Sequence, residues 1–186
     1  MSSYSEGQIH QLANALEAKG FTPDHLRKLG QSTDLLLLRD FLDGKNEIRP
    51  MDYTIDLDAK PFLPVGWDVE HHQNGGKFKY DPTKVKLYLS ECQRSGCGSN
   101  GNDLLKELED QKVMNANFLD FYLKYPHLVP ENWKGKSIFF WGTRYLDPLG
   151  DKHVLSMYWL GQRWNQKFNW INGMFGARSP AVILMS

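Results

Sequence analysis

This sequence has almost no covalent scaffolding. It has two cysteines, Cys92 and Cys97, in 186 residues, so no disulfide framework holds the fold together. No apolar run comes near the ~20 residues that a membrane span needs. The longest runs are residues 138–141 and 181–185. The opening six residues carry no basic region and lead into no hydrophobic stretch, which is not the pattern of a secretory signal. These absences predict a soluble, cytoplasmic protein with no membrane partner. Net charge is absent as well, with 22 Lys and Arg against 22 Asp and Glu. No serine-nucleophile elbow, phosphate-binding loop or His-Glu-x-x-His motif occurs. No cofactor is expected, and no nucleophile stands in sequence beside a base.

What is present is a large apolar content, 41% hydrophobic and 13% aromatic, enough for a folded core. The pattern predicts an α+β fold in two parts, a helical module over residues 1–45 and a body over 46–186. In the first part Ile9, Leu12, Ala13 and Leu16 recur at helical spacing up to Gly20. Thr22-Pro23-Asp24 opens a second helix ending near Gly30, and Ser32 or Thr33 caps a third that stops at Gly44. None of these short helices would stand alone in water. A connector follows, with prolines at 50, 61 and 64 and a half-buried strand in which Tyr53, Ile55 and Leu57 alternate with polar residues. Residues 67–72 and 77–80, joined through Asn74-Gly75-Gly76, read as a hairpin. Residues 84–90 read as one more strand and 94–101 as a glycine-rich loop. Helices are predicted from Asn102 or Asp103 to about Gln111, and from Asn115 until Pro126 stops the second.

From Trp133 the period becomes two. Residues 138–145, 154–160 and 163–171 read as an antiparallel meander, with residues 181–185 as a last strand. Five of the six tryptophans fall between Trp133 and Trp170. Residues 133–186 hold seven Lys and Arg against two Asp, a local charge of +5, which leaves −5 elsewhere. That asymmetry admits a basic binding face or two oppositely charged parts that attract each other.

Candidate sites follow from these patterns. On the strand 163–171, Arg163, Asn165, Lys167 and Asn169 share one face and, with Arg144, form a polar basic surface suited to phosphate or carboxylate. Trp141 and Tyr145 would be its stacking partners. An anionic ligand, a nucleic acid or another protein is the partner such a face would take. Solvation of the outer face of a one-sided sheet gives the same alternation. Asp56, Asp58, Glu70, His71 and His72 form the alternative site, a metal-dependent hydrolase, although neighbouring histidines on a strand point to opposite faces and chelate one ion poorly. Gly96-x-Gly98-x-x-Gly101 matches a nucleotide-loop pattern in letters only, because no strand delivers directly into it. The five-residue step from Cys92 to Cys97 is wrong for a Cys-x-x-Cys redox or zinc motif. A self-assembling structural protein with an aromatic patch is a third reading.

Three stretches carry a resemblance. They are residues 55–67 running on to 84–90; 115–121 with 126–135; and 138–143 with Tyr158, Trp159 and Trp164. Together they resemble a set of short uncharacterised bacterial and metagenomic proteins. The resemblance covers most of residues 46–182. It implies that 46–186 is one unit, and since that set has no assigned activity it implies no catalytic residue.

Overall fold

The computed structural model describes residues 4–47 and 51–185. The chain forms two compact units, residues 1–51 and 52–186. Pro50 of the connector lies outside the described residues.

The first unit has three helices: α1 (Glu6–Ala18), α2 (Pro23–Gln31) and α3 (Leu35–Leu42). Ser5 caps α1 and Thr22 caps α2, each by a reciprocal exchange with the residue three positions on, Gln8 and His25. The third helix is capped two residues from the expected Ser32, at Asp34, with no side-chain bond to its first turn. Ser32 instead accepts a hydrogen bond from the Asp34 N–H. None of the three helices has a buried residue, and Leu12, Leu36 and Leu42 are 60%, 62% and 75% exposed.

The second unit is an α+β body. Its small strands are β1 (Thr54–Asp56), β2 (Asp68–His72), β3 (Lys77–Lys79) and β4 (Val85–Tyr88). Then come α4 (Glu91–Ser95), β5 (Ser99–Asn100), α5 (Gly101–Glu107) and α6 (Ala116–Lys124). The expected meander is β6 (Ser137–Leu146), β7 (Lys152–Leu160) and β8 (Arg163–Trp170), followed by β9 (Met174–Phe175) and β10 (Ala181–Leu184). The main sheet runs β4-β10-β6-β7-β8, and β2 pairs with the far half of β6. All its pairings are antiparallel except β10 with β6. No described helix is long and apolar enough to cross a membrane.

The predicted hairpin of residues 67–72 with 77–80 does not form. β2 pairs with β6, while β3 pairs with β1. The reason lies in the turn: Asp58 accepts hydrogen bonds from the Gly75 and Gly76 N–H groups, and Gly75 packs so closely on Leu57 that a Cβ there would come within 2.7 Å of it. The glycines thus serve the approach to β1 rather than a hairpin.

The main sheet is not one-sided. α6 covers one face, where Phe118, Leu119 and Tyr122 meet Ile138, Phe140, Leu155 and Met157. The other face is covered by Leu104, Leu108 and Phe175, which meet Phe139, Trp141, Val154 and Ile183. A strand buried on both faces reads as continuous apolar sequence, and residues 138–141 are such a run. The register of β6 on β7 slips between Phe139 and Arg144. Gly142 sits within this slip, against Asn115; a Cβ there would come within 2.9 Å of the Asn115 nitrogen.

At this point a buried polar knot joins four segments. Asn115 Nδ2 donates to the carbonyls of Leu57 at 2.8 Å and Gln73 at 2.9 Å. Thr143 Oγ1 accepts from the Ala116 N–H at 2.9 Å and lies 2.8 Å from His72 Nδ1. His72 Nε2 lies 3.0 Å from the Leu57 carbonyl, which only accepts, so Nε2 carries the proton and Thr143 donates to Nδ1. Replacing Asn115 with Ala removes the donor to the Gln73 carbonyl and one of the two donors to the Leu57 carbonyl, and the expected loss of stability is roughly 1–3 kcal/mol. Urea unfolding of Asn115→Ala measures it, and a change within about 0.5 kcal/mol, the range of an ordinary surface substitution, would show that the knot does not hold these segments.

Candidate functional site

The Arg144 end of the sheet opens into a cleft of about 470 Å³. β2 and the residue after it supply Glu70, His71 and Gln73. The end of α5 and the chain beyond it supply Leu105, Leu108, Glu109, Gln111 and Val113. β6 supplies Trp141 and Arg144, and β7 supplies Lys152.

The charged centre of the cleft is Glu70. Its two carboxylate oxygens take different cations: Arg144 Nε donates to one at 3.1 Å, and Lys152 pairs with the other. Glu70 and Arg144 keep only 23% and 25% of their side-chain surface exposed. Arg144 uses Nε for this contact, and its terminal nitrogens have no partner among the described residues. A guanidinium anchored at Nε presents two parallel N–H donors, the fork that carboxylate and phosphate accept. Its side-chain entropy is already lost before any ligand arrives. Trp141, 1% exposed, also lines the cleft, and its indole N–H is buried without a partner. Burial lowers His71 below its ordinary value and the nearby Arg144 charge adds to this, which leaves the imidazole neutral near pH 7.

The residues expected at a basic strand face are not all brought together. Arg144, Val154 and Asn169 stand in one cross-strand row, and Lys167 opposes Ser156 on the same face. Arg163 lies at the far end of β8, six residues or roughly 20 Å from Asn169 along the strand. Asn165 donates to the Arg163 carbonyl, and Asn169 donates to Ser156 Oγ at 2.8 Å, so both amides serve the sheet itself. Arg163 and Lys167 are exposed and have no ion pair among the described residues. The stacking role expected of Trp141 and Tyr145 is corrected: at 1% and 0% exposure neither offers a ring face to solvent. Tyr145 packs edge-on against Phe168 instead, with ring centroids 5.1 Å apart.

The expected acidic and histidine residues are also separated. Asp56 accepts from the Asp58 N–H, Asp58 from Gly75 and Gly76, and His72 belongs to the polar knot. Among the described residues no three His, Cys, Asp or Glu side chains converge as a metal site would require.

A second polar spot lies under α6. Asp120 is raised above its ordinary value by burial alone, with no partner for its charge among the described residues. Near it the Tyr145 hydroxyl is buried without a partner and is pushed up by burial and by the Asp120 charge. The groove here, lined also by Lys60, Asn117 and Lys124, is about 330 Å³.

Lys152 and Gln73 as cleft residues are not evident from the sequence, and Trp141, expected there as a stacking partner, lines the cleft with its ring buried. Glu70 and Arg144 are 74 residues apart and meet only through the β2–β6 pairing. No protein-family model matches this chain, and neither does any curated protein or solved structure.

Two ionisation tests follow. Burial pushes Glu70 up, but its hydrogen bonds to Lys152 and Arg144 outweigh that and hold it below the usual carboxylate value of 4.5. Such a group adds stability above its unfolded value, and that stability is lost as pH falls through the folded one. Glu70→Gln is therefore expected to unfold at lower urea than the parent at pH 7, and the two are expected to converge below about pH 4. An unchanged gap down to pH 3 would overturn the triplet. Asp120 has the opposite sign. With its folded value raised, the protonated form is the favoured one, and stability falls as pH rises from the unfolded value of 3.8 through the folded one. Asp120→Asn is expected to raise the melting temperature at pH 7 and to leave it unchanged near pH 3. A lower melting temperature at pH 7 would show that the carboxylate has a stabilising partner.

Proposed function

We propose that this chain is a binding protein whose ligand is a small molecule bearing a carboxylate or phosphate, held at Arg144 in the cleft between α5 and the β2–β6–β7 end of the sheet. The observation that supports this reading is the pinned guanidinium: Nε is committed to Glu70, and the two terminal nitrogens of this cleft-lining residue have no partner among the described residues. Lys152 and Trp141 line the same cleft, and the buried indole N–H of Trp141 has no partner among the described residues. The reading is of binding rather than catalysis. None of the lining side chains is a Ser, Thr, Cys or Tyr nucleophile, and the cleft's lysine is paired with Glu70.

A second reading keeps the ligand on the outer face of β8, favoured by the exposed and unpaired Arg163 and Lys167. One experiment separates the two. Calorimetric titration of the full chain with citrate and with inorganic phosphate is expected to show binding by at least one of them. Arg144→Gln should weaken it by roughly 10- to 100-fold, the equivalent of a charged hydrogen-bonded contact. The double reversal Arg163→Glu with Lys167→Glu should leave it unchanged. Loss in the double variant with Arg144→Gln unaffected would place the ligand on β8 instead. No heat with either anion would remove the oxyanion reading.

A further inference from the structure

The segment from α4 to β5 brings two thiols together, although their sequence spacing matches no redox motif. Cys92 stands in the first turn of α4, whose N-cap Ser90 and third residue Gln93 cap each other. Gly96 ends the helix in the left-handed region at φ 88°, and Gly98 repeats that conformation at φ 71°. The chain is thereby turned back on itself. The Gly98 N–H donates to the Cys92 carbonyl at 3.2 Å, and the Cys97 thiol reaches that same carbonyl at 3.2 Å. Ser95 Oγ lies 3.2 Å from the Cys97 sulfur. Both cysteines are free and exposed. From these contacts we infer that Cys92 and Cys97 form a dithiol site that closes to an intramolecular disulfide by exchange with a small-molecule disulfide.

The two sulfurs are differently placed for the two halves of such an exchange. Hydrogen bonds from Ser95 and then Cys92 hold the Cys97 thiol below its ordinary value, whereas its hydrogen bond and charge coupling with Cys97 push Cys92 up. The thiolate is the nucleophile, so Cys97 attacks first. Its sulfur bonds to one sulfur of the small disulfide, whose S–S bond breaks and releases one thiolate. The Cys92 thiolate then attacks Cys97 Sγ, forming the Cys92–Cys97 bond and releasing the second small thiolate. Two electrons pass from the protein to the small disulfide, and the two thiol protons go to solvent.

The segment is anchored on both sides of the pair, so closure leaves the body intact. Buried Gln93 donates to the carbonyls of Gly176 at 3.2 Å and Ser179 at 2.9 Å, and Ser90 Oγ meets Ser99 Oγ at 2.9 Å. The ends of the loop are therefore held while only the short span between the two sulfurs has to adjust.

The test is to incubate the reduced full chain with oxidised glutathione, quench with N-ethylmaleimide, and weigh the intact protein. The expected product has lost two hydrogens and carries neither glutathione nor maleimide, and peptide mapping links Cys92 to Cys97. Cys92→Ser is expected to stop at the first step, with one glutathione retained on Cys97. Cys97→Ser is expected to react more slowly than Cys92→Ser. Parent protein that keeps glutathione or maleimide on both sulfurs, or that forms a covalent dimer, would overturn the site. Near-ultraviolet circular dichroism of the two variants, matching the parent, confirms that the chemistry is read on folded protein.

Discussion

The arrangement of the body depends on one irregular position in its central strand. β6 has both faces buried, so a residue that cannot be accommodated on either side must be absorbed by a shift of register. Gly142 absorbs it, at a point where α6 begins too close for any side chain. Before the slip, Phe139 and Trp141 face one core while Ile138 and Phe140 face the other. After it, Thr143 turns toward Ala116 and His72, and Arg144 turns toward Glu70. The polar knot that ties α6 to the sheet and the guanidinium of the cleft are thus neighbours in sequence, pointing opposite ways from the same strand. A side chain at position 142 would push α6 off the strand and shift the direction of Arg144 as well.

Elements governed by local chemistry were legible in the sequence. Capping residues and glycine stops placed α1 and α2 within a residue or two, and period-two alternation placed β6, β7 and β8. What local pattern did not reveal is pairing. Asn74-Gly75-Gly76 carries the strongest hairpin signal in the chain, yet its glycines are required by the close approach of Leu57 and by the N–H groups that Asp58 takes. A turn signal reports backbone conformation and says nothing of which strands it connects. The cleft was hidden for the same reason. Arg144 was singled out for its charge, but Glu70 was grouped with the histidines beside it, and only the pairing of β2 with β6 joins them. Trp141 and Tyr145 illustrate a further limit, since the apolar run 138–141 is the pattern of a strand buried on both faces and leaves no aromatic ring there for stacking.

The charge asymmetry between the chain's parts is resolved in part inside the body. Of the seven cations after Trp133, Lys134 pairs with Glu131, while Arg144 and Lys152 both pair with Glu70. The acidic early part of the body and the basic late part therefore meet across the β2–β6 pairing, as oppositely charged parts do. This weakens the field around Arg144 itself. Recognition at Arg144 is accordingly a matter of short-range geometry more than of long-range attraction, and any ligand must be one that fits the fork.

Stability alone does not account for the ion triplet. Withdrawing the charges of Glu70 and Arg144 from water costs about what their mutual attraction returns, so an apolar pair of similar volume would hold the sheet end about as well. What the triplet does supply is a fixed direction. Glu70 binds Arg144 through Nε and Lys152 through its other oxygen, so each carboxylate oxygen is occupied and the guanidinium cannot fold down onto the acid with its whole fork. The terminal donors form no hydrogen bond with Glu70. Had Lys152 been absent, Arg144 could take both oxygens side by side and close the site against itself. The second cation keeps the first one available.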